Sequence, residues 1–356
     1  MSKKVCFFCG PGFMLNYHTG TFINEVENKG HNVFRACIDK GNEKNIDFEW
    51  GGQRDSFSLY DLKRLANFII FLKKNSIQKL IFFSPKASLI GAIVKLFIPN
   101  IKSFFWHRGI YYENWTGIKF HIAKLIDLAV LKLSTESFFC SKSQLSWLKT
   151  KGVISKNVTF NRKHQSFVGI DIKTPYVIKD RPYLAGYLGR LCKDKGFDYL
   201  WNLYNYLKAN NSTKKILIKG SIDTNDKEIQ QKINEMIASK YVDYEKWSYD
   251  ISEFFGKIKI HFFPTLREGF GNVAVEAAIY GVPTIAVKGV GLNDSVSNSS
   301  GILVDKHDDL IEGLFSMEKD KFTADYEKVS KSSIEWARNN FNKEDIIEEL
   351  LQLHEL

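Results

Sequence analysis

No stretch of the 356-residue sequence reaches about 18 uncharged apolar residues, the length a helix needs to cross a bilayer. The nearest approach, Ile77 to Phe105, is broken by Lys79, Lys86, Lys95 and Lys102. Cysteine is sparse: Cys6, Cys9, Cys37, Cys140 and Cys192 are scattered and odd in number. That argues against a disulfide framework and for a reducing, cytoplasmic compartment. Cys6 and Cys9 form a CxxC with no second pair to complete a zinc site, so VCFFC reads better as a buried strand than as half of a metal centre. There is no Asp-x-Asp and no His/Asp/Cys grouping at ligand spacing, and no metal site is expected. Lys3 and Lys4 followed by VCFFCGPGFML faintly resemble a signal peptide, but Gly10, Pro11 and Gly12 interrupt the apolar run and no small-residue cleavage site follows. Short-period repeats and low-complexity tracts are absent, which excludes a solenoid.

What remains is a globular composition, 44% hydrophobic and 25% charged, in a chain long enough for two domains. The 28 Phe and 15 Tyr are many, and some of these rings are candidates for a surface that meets lipid or sugar. The net charge of +10 is unevenly spread. Residues 1–179 hold 27 Lys and Arg against 12 Asp and Glu, whereas residues 180–356 hold 23 against 28. A basic first half suits an anionic membrane face, a phosphate-bearing acceptor or nucleic acid; solvated lysine-rich helices are the plainer alternative. No nucleic-acid-binding motif is present, and none is expected as a partner.

Strand-length apolar runs alternate with helix-length amphipathic segments. KVCFFCG, HNVFRACI, KLIFFS, IKSFFWH and SFFCS read as strands, with helices over Phe22–Lys29, Leu59–Asn75, Ala87–Phe97, Ile118–Leu133 and Ser143–Thr150 between and after them. Thr174 to Pro182 has two prolines and no helical period, as a linker would. The pattern then restarts with YLAGYLGR, KKILIKG, IKIHFFP and PTIAV as strands and Phe197–Asn210, Lys227–Ser239 and Asn272–Tyr280 as helices. The alternation predicts an α/β chain of two Rossmann-like domains with parallel sheets facing a central cleft. The boundaries are residues 1–175, residues 182–335, and a C-terminal helix over 336–356 that crosses back to the first domain.

The most informative segment is FFPTLREGFGNVAVEAAIYGVPTIAV, residues 262–287. A strand ends at Pro264, a polar loop carries Arg267 and Glu268, and Gly269 and Gly271 bracket Phe270 before a helix begins at Asn272. Glycines there admit a ligand close to the backbone, and a helix start suits phosphate or a polar sugar edge. Glu276 lies among Val275, Ala277, Ala278 and Ile279, where a carboxylate is costly unless it accepts hydrogen bonds, as from paired sugar hydroxyls. Two solvent-facing glutamates on a helix would be the alternative.

EGFGNVAVE resembles the E-x7-E signature of family 4 retaining glycosyltransferases (glycosyl transferases group 1) of GT-B fold, and the flanking P-x-x-x-E-G-F-G and E-A-x-x-x-G-x-P fit as well. The resemblance implies that Glu268 contacts donor-sugar hydroxyls, aided by Gly269, Phe270, Gly271 and Asn272, and that Glu276 contacts the ribose. YLGRLCKDKGFDYL is similar to the segment in which a strand-end Arg and a nearby Lys hold the donor diphosphate, which implies that role for Arg190 and Lys195. Two fixed cations would stabilise the charge that grows on the leaving group. KILIKG resembles the strand whose following loop, at Gly220 and Ser221, borders the base. His107 in FFWHRG stands where the family often has a His facing the donor, and Arg108 is a candidate for an acceptor phosphate. A His held locally between Trp106 and Arg108 is the other reading. VGID, Val168 to Asp171, resembles the family's N-G-V-D turn with its Asn replaced. The family's Gly-Gly pair after the first strand falls at Phe13 and Met14, and Asp294 stands where a Glu is usual.

Taken together, the resemblance implies a retaining, metal-independent hexosyltransferase without a cofactor. It would move a sugar from a nucleoside diphosphate donor, UDP-linked, to a saccharide or lipid-linked saccharide in bacterial-type surface polysaccharide or lipopolysaccharide synthesis. The expected location is cytoplasmic, peripheral at the inner face of the membrane. KASLIGAIVKLF and GIKFHIAKLIDLAVLKL either rest on an anionic bilayer or are core helices with solvated lysines. A non-catalytic glycosyltransferase-like partner subunit and a GT-B sugar-nucleotide epimerase are the alternatives.

Overall fold

The computed structural model describes residues 2–17, 19–167, 169–170, 181–222, 226–321 and 326–356. The chain forms two compact units, Met1–Gly169 with Glu344–Leu356, and Ile170–Lys343. Val168 and Asp171 of the VGID turn and most of the proposed linker lie outside the described residues.

The first unit is built on a six-stranded sheet: β1 (Lys4–Pro11), β2 (Asn32–Asp39), β3 (Phe48–Glu49), β4 (Lys79–Phe82), β5 (Lys102–His107) and β6 (Glu136–Phe139). Their order is β3-β2-β1-β4-β5-β6, and every pairing is parallel. The run VCFFCG is buried throughout because β1 is central and covered on both faces, as a parallel sheet requires. On one face, Cys6, Phe8, Leu80 and Phe82 pack with Phe68, Ile90 and Val130 from the helices Tyr60–Lys74, Pro85–Phe97 and Gly117–Leu133. On the other, Phe7 meets Phe22 of the helix Gly20–Asn28 and Trp106 of β5. The end of the chain closes that face: buried His354 accepts a hydrogen bond from the Trp106 indole at 2.8 Å and donates one to Leu350 O at 2.7 Å. CxxC thus lies within a strand, and all five cysteines are free and buried.

The second unit repeats the plan with β7 (Tyr183–Leu188), β8 (Ile216–Gly220), β9 (Val242–Lys246), β10 (Ile258–Phe263), β11 (Thr284–Val287) and β12 (Gly301–Val304). The order is β12-β11-β10-β7-β8-β9, again all parallel. Helix starts are set locally: Asp226 accepts from Ile229 N–H at 3.1 Å to open Lys227–Ile237. The helix Tyr326–Phe341 lies in this unit and packs on Asn272–Ile279, while Glu344–Leu356 belongs to the first. In each sheet the strand order reverses once, between β1 and β4 and between β7 and β10. Open α/β sheets bind ligands at the carboxyl ends of strands at such a reversal.

Candidate active site

At the β7/β10 reversal, two loops leave the carboxyl ends of neighbouring strands. Gly189 to Gly196 follows β7, and Pro264 to Gly271 follows β10. They are stitched together: Leu266 N–H donates to Asp194 O at 3.1 Å, and Arg267 pairs with the Asp194 carboxylate at 2.7 Å. Across this seam Lys195 Nζ forms an ion pair with Glu268 Oε1, and Thr265 Oγ1 donates to the same oxygen at 3.4 Å. Two residues 73 positions apart, proposed for sugar and phosphate, thereby face one another.

Arg190 stands exposed beside them with no hydrogen bond or ion pair to its guanidinium among the described residues. Its carbonyl is fixed, accepting from the buried Tyr187 hydroxyl at 2.7 Å, and Tyr187 also donates to Lys195 O at 3.3 Å. A single ring under the loop therefore sets the backbone at both cations. The third wall comes from β8. Gly189 N–H donates to Lys219 O and Leu191 N–H to Ser221 O, at 3.0 and 2.9 Å. A Cβ at Gly220 would lie 1.8 Å from Gly189 O, so only glycine lets the two loops approach this closely.

The helix Asn272–Ile279 opens at Gly271, whose φ of +89° turns the chain into it. Phe270 is buried against Phe341, ring centroids 5.3 Å apart, which anchors the loop between the two signature glutamates. Glu276 accepts no hydrogen bond among the described residues, and burial alone pushes its carboxyl up to about 7. Such a group is stabilised by a ligand that donates hydroxyls to it.

In the first unit His107 ends β5 and is buried, with both ring nitrogens engaged. Nε2–H donates to Asp127 at 2.9 Å, and Nδ1 accepts from the Gln144 amide at 2.8 Å. The tautomer follows from Gln144 Oε1, which accepts Cys140 N–H at 3.2 Å and so turns the amide nitrogen towards the imidazole. Tyr112 adds a 2.7 Å hydrogen bond to Asp127. Both ring nitrogens of His107 are thus engaged within the first unit, by Asp127 and Gln144. Arg108 lies over Phe83 at 4.3 Å and Trp106 at 5.2 Å, and burial lowers its guanidinium to about 10. Phe13 and Met14 begin a short helix, Phe13–Tyr17, and Asp294 lies in another, Leu292–Ser295.

Sequence reasoning passed over Thr265, the Asp194–Arg267 stitch and Gly291, whose added Cβ would meet Gly269 and Phe270 backbone at 2.8 Å. It also passed over Asp127, although the signal was the one that drew attention to Glu276: a carboxylate inside an apolar helix. Among the described residues no group of three or more His, Cys, Asp or Glu has metal-binding geometry.

Two parallel six-stranded α/β units, with a cation–carboxylate constellation at one reversal, define the class: this is the GT-B architecture. Residues 170–336 match the family described as glycosyl transferases group 1, and this stretch is a domain of that type. Over 320 residues the chain is 25% identical to the capsular polysaccharide biosynthesis glycosyltransferase CapM of Staphylococcus aureus, covering 85% of this chain and 83% of that one. Anabaena HepE in complex with UDP and glucose superposes with a TM-score of 0.76 at 16% identity, over 99% of both chains. The lipopolysaccharide outer core galactosyltransferase WaaB gives 0.69 at 16% identity, over 98% of both. At such identities the two structures establish the fold.

Proposed function

We propose that this chain is a retaining glycosyltransferase that moves a hexose from a UDP-linked donor to a saccharide or lipid-linked saccharide acceptor in capsule or lipopolysaccharide assembly. The observation that carries the reading is the meeting of Lys195 with Glu268 at the β7/β10 reversal, beside exposed Arg190 and the half-buried carboxyl of Glu276. The capsular role named for the Staphylococcus aureus relative and the UDP and glucose held by Anabaena HepE support the acceptor class and the donor.

In this reading Arg190 and Lys195 bind the diphosphate, Gly220 and Ser221 border the base, Glu276 receives the ribose hydroxyls, and Glu268 with the Gly269–Asn272 loop holds the sugar. The acceptor is assigned to the first unit. The bond from the anomeric carbon to the phosphate oxygen breaks as the acceptor oxygen attacks from the same face, and the acceptor proton passes to the departing phosphate. The protein supplies position and charge stabilisation rather than a nucleophile. No cofactor or metal is given a role, because the cations carry the leaving-group charge.

A panel of nucleoside diphosphate sugars, scored by thermal shift and then by transfer, tests the reading. One UDP-sugar should stabilise the protein, and Arg190→Ala should cut turnover about 100-fold or more with an unchanged melting curve. Near-normal transfer by Arg190→Ala would remove the diphosphate assignment. Conversion of the donor sugar without any acceptor would show an epimerase, and no binding of any donor would show a non-catalytic subunit.

A further inference from the structure

The first unit carries a second surface that the glycosyl-transfer reading does not use. The helices Tyr60–Lys74, Pro85–Phe97 and Gly117–Leu133 form one layer on the β-sheet, the middle helix packing on both neighbours. Their inner faces fill the core, yet their outer faces are not polar. On the first helix and its lead-in, Leu59, Leu62 and Ile70 recur at helical spacing; on the third, Ile118, Ile122 and Leu125 do the same. All six are between 52% and 88% exposed. Leu96 and Phe97 add exposed apolar surface at the end of the middle helix.

Charge on the same layer is of one kind. The three helices hold two carboxylates, Asp61 and Asp127, and both are buried and consumed internally. Asp61 takes hydrogen bonds from Trp50, Ser58 N–H, Arg64 and Lys86, while Asp127 takes those of His107 and Tyr112. Lys63, Lys73, Lys74, Lys119 and Lys132 are exposed. Apolar stripes flanked by lysines, without an exposed acid, match an anionic lipid surface: the stems and apolar side chains enter the headgroup region while the ammonium groups meet the phosphates. A second copy of this layer would bring like charges together. No helix among the described residues is long and apolar enough to cross a membrane, so such a layer would rest on the bilayer.

We propose that this three-helix layer is a membrane-docking face, selective for anionic lipid, with Leu59, Leu62, Ile70, Ile118, Ile122 and Leu125 as its apolar contacts. The proposal is independent of the donor site and survives if the sugar-transfer reading fails. The test is flotation of the full chain with vesicles of pure phosphatidylcholine and of phosphatidylcholine with 30% phosphatidylglycerol, at low and high salt. Binding should occur on the anionic vesicles and weaken at least tenfold in high salt. Leu62→Ser/Ile70→Ser and Ile122→Ser/Leu125→Ser should each weaken it by a similar factor at unchanged melting temperature, since these side chains already face solvent. Lys73→Glu/Lys119→Glu should weaken binding to anionic vesicles alone. No binding to anionic vesicles at low salt, equal binding to both compositions, or a concentration-dependent dimer abolished by the serine variants would overturn it.

Discussion

Glu276→Gln should make the protein more stable and a poorer binder of nucleotide, and the two effects should divide by pH. Burial raises the Glu276 carboxyl from its ordinary 4.5 to about 7. The folded chain therefore holds a proton that the unfolded chain has released between these values. This site's contribution to stability is full below pH 4.5 and declines until pH 7, by about 1.4 kcal/mol per pH unit, or about 3 kcal/mol in all. Glutamine keeps the shape and stays neutral. At pH 8 the variant should gain up to about 3 kcal/mol, at about 2–4 °C of Tm per kcal/mol for a unit of this size, and most of that gain should be gone at pH 5. On the ligand side, replacing charge-assisted hydrogen bonds by weaker neutral ones should reduce UDP affinity about tenfold or more. The parent's own affinity should fall about tenfold from pH 8 to pH 6 as Glu276 takes up its proton. UDP's phosphate titrates near pH 6 for parent and variant alike, so the ratio of their affinities isolates the carboxylate. Scanning fluorimetry at pH 5 and 8 and calorimetric titration with UDP read both effects. An equal loss of Tm for the variant at both pH values would mean that the carboxylate supports the fold, and the argument would fail.

Gly220→Ala should lower both Tm and UDP affinity, because its Cβ would meet Gly189 O at 1.8 Å; Gly289→Ala, with nothing nearer than 4.0 Å, should change neither, and equal behaviour of the pair would discard the close-approach account. His261 and His354 are buried with their imidazoles held neutral, each lowered to about 3 by desolvation. Stability from a depressed base is full above pH 6.5 and is lost as pH falls towards 3, so each should withdraw about 3 kcal/mol between pH 6.5 and 4.5, outweighing Glu276's opposite term; a Tm that stays level to pH 4.5 would contradict this. His107→Ala leaves the buried Asp127 carboxylate with the Tyr112 hydroxyl but without its imidazole donor and should cost about 2–3 kcal/mol while leaving UDP affinity within twofold, as titration and urea melts would reveal. A large loss of UDP affinity without loss of stability would instead make His107 a donor contact.

The strands that the sequence pattern exposed are mostly those buried on both faces. The three it missed, β3, β9 and β12, all lie at sheet edges. FE has two residues, VDYEK has one buried side chain, and GILV is largely half-buried, so none carries the apolar run that a central strand must have. The bounds of the helices read between strands came within about two residues because their inner faces are apolar at helical spacing, whereas the single C-terminal helix expected over 336–356 is two, Tyr326–Phe341 and Lys343–Leu353. Site residues divide on the same physical line. Glu276 and the paired glycines drew attention because their residue types are costly or unusual where they stand, whereas Glu268, Arg190 and Lys195 were singled out by the family resemblance. The Asp194–Arg267 stitch and the Gln144–His107–Asp127 chain join residues far apart in sequence, and ordinary polar residues in loops carry no local mark of their partners.

The spacing of the two signature glutamates has a structural cause that depends on the fold as much as on the chemistry. Glu268 lies in the loop, and Glu276 is the fifth residue of the helix Asn272–Ile279. Between them, Phe270 is committed to the core beside Phe341, and Gly271 has a backbone angle that favours glycine. An inserted residue before Gly271 would pull Phe270 from the core or move the left-handed position off glycine. One after it would rotate Glu276 by about 100° around the helix, away from its present face. The pair is therefore held in phase by two residues that make no hydrogen bond to a sugar through their side chains. Gly291, pressed against Gly269 and Phe270 from the loop after β11, holds the same turn from the other side. The carboxylates can face a ligand without reorganising because the cost of fixing them is met in folding rather than in binding.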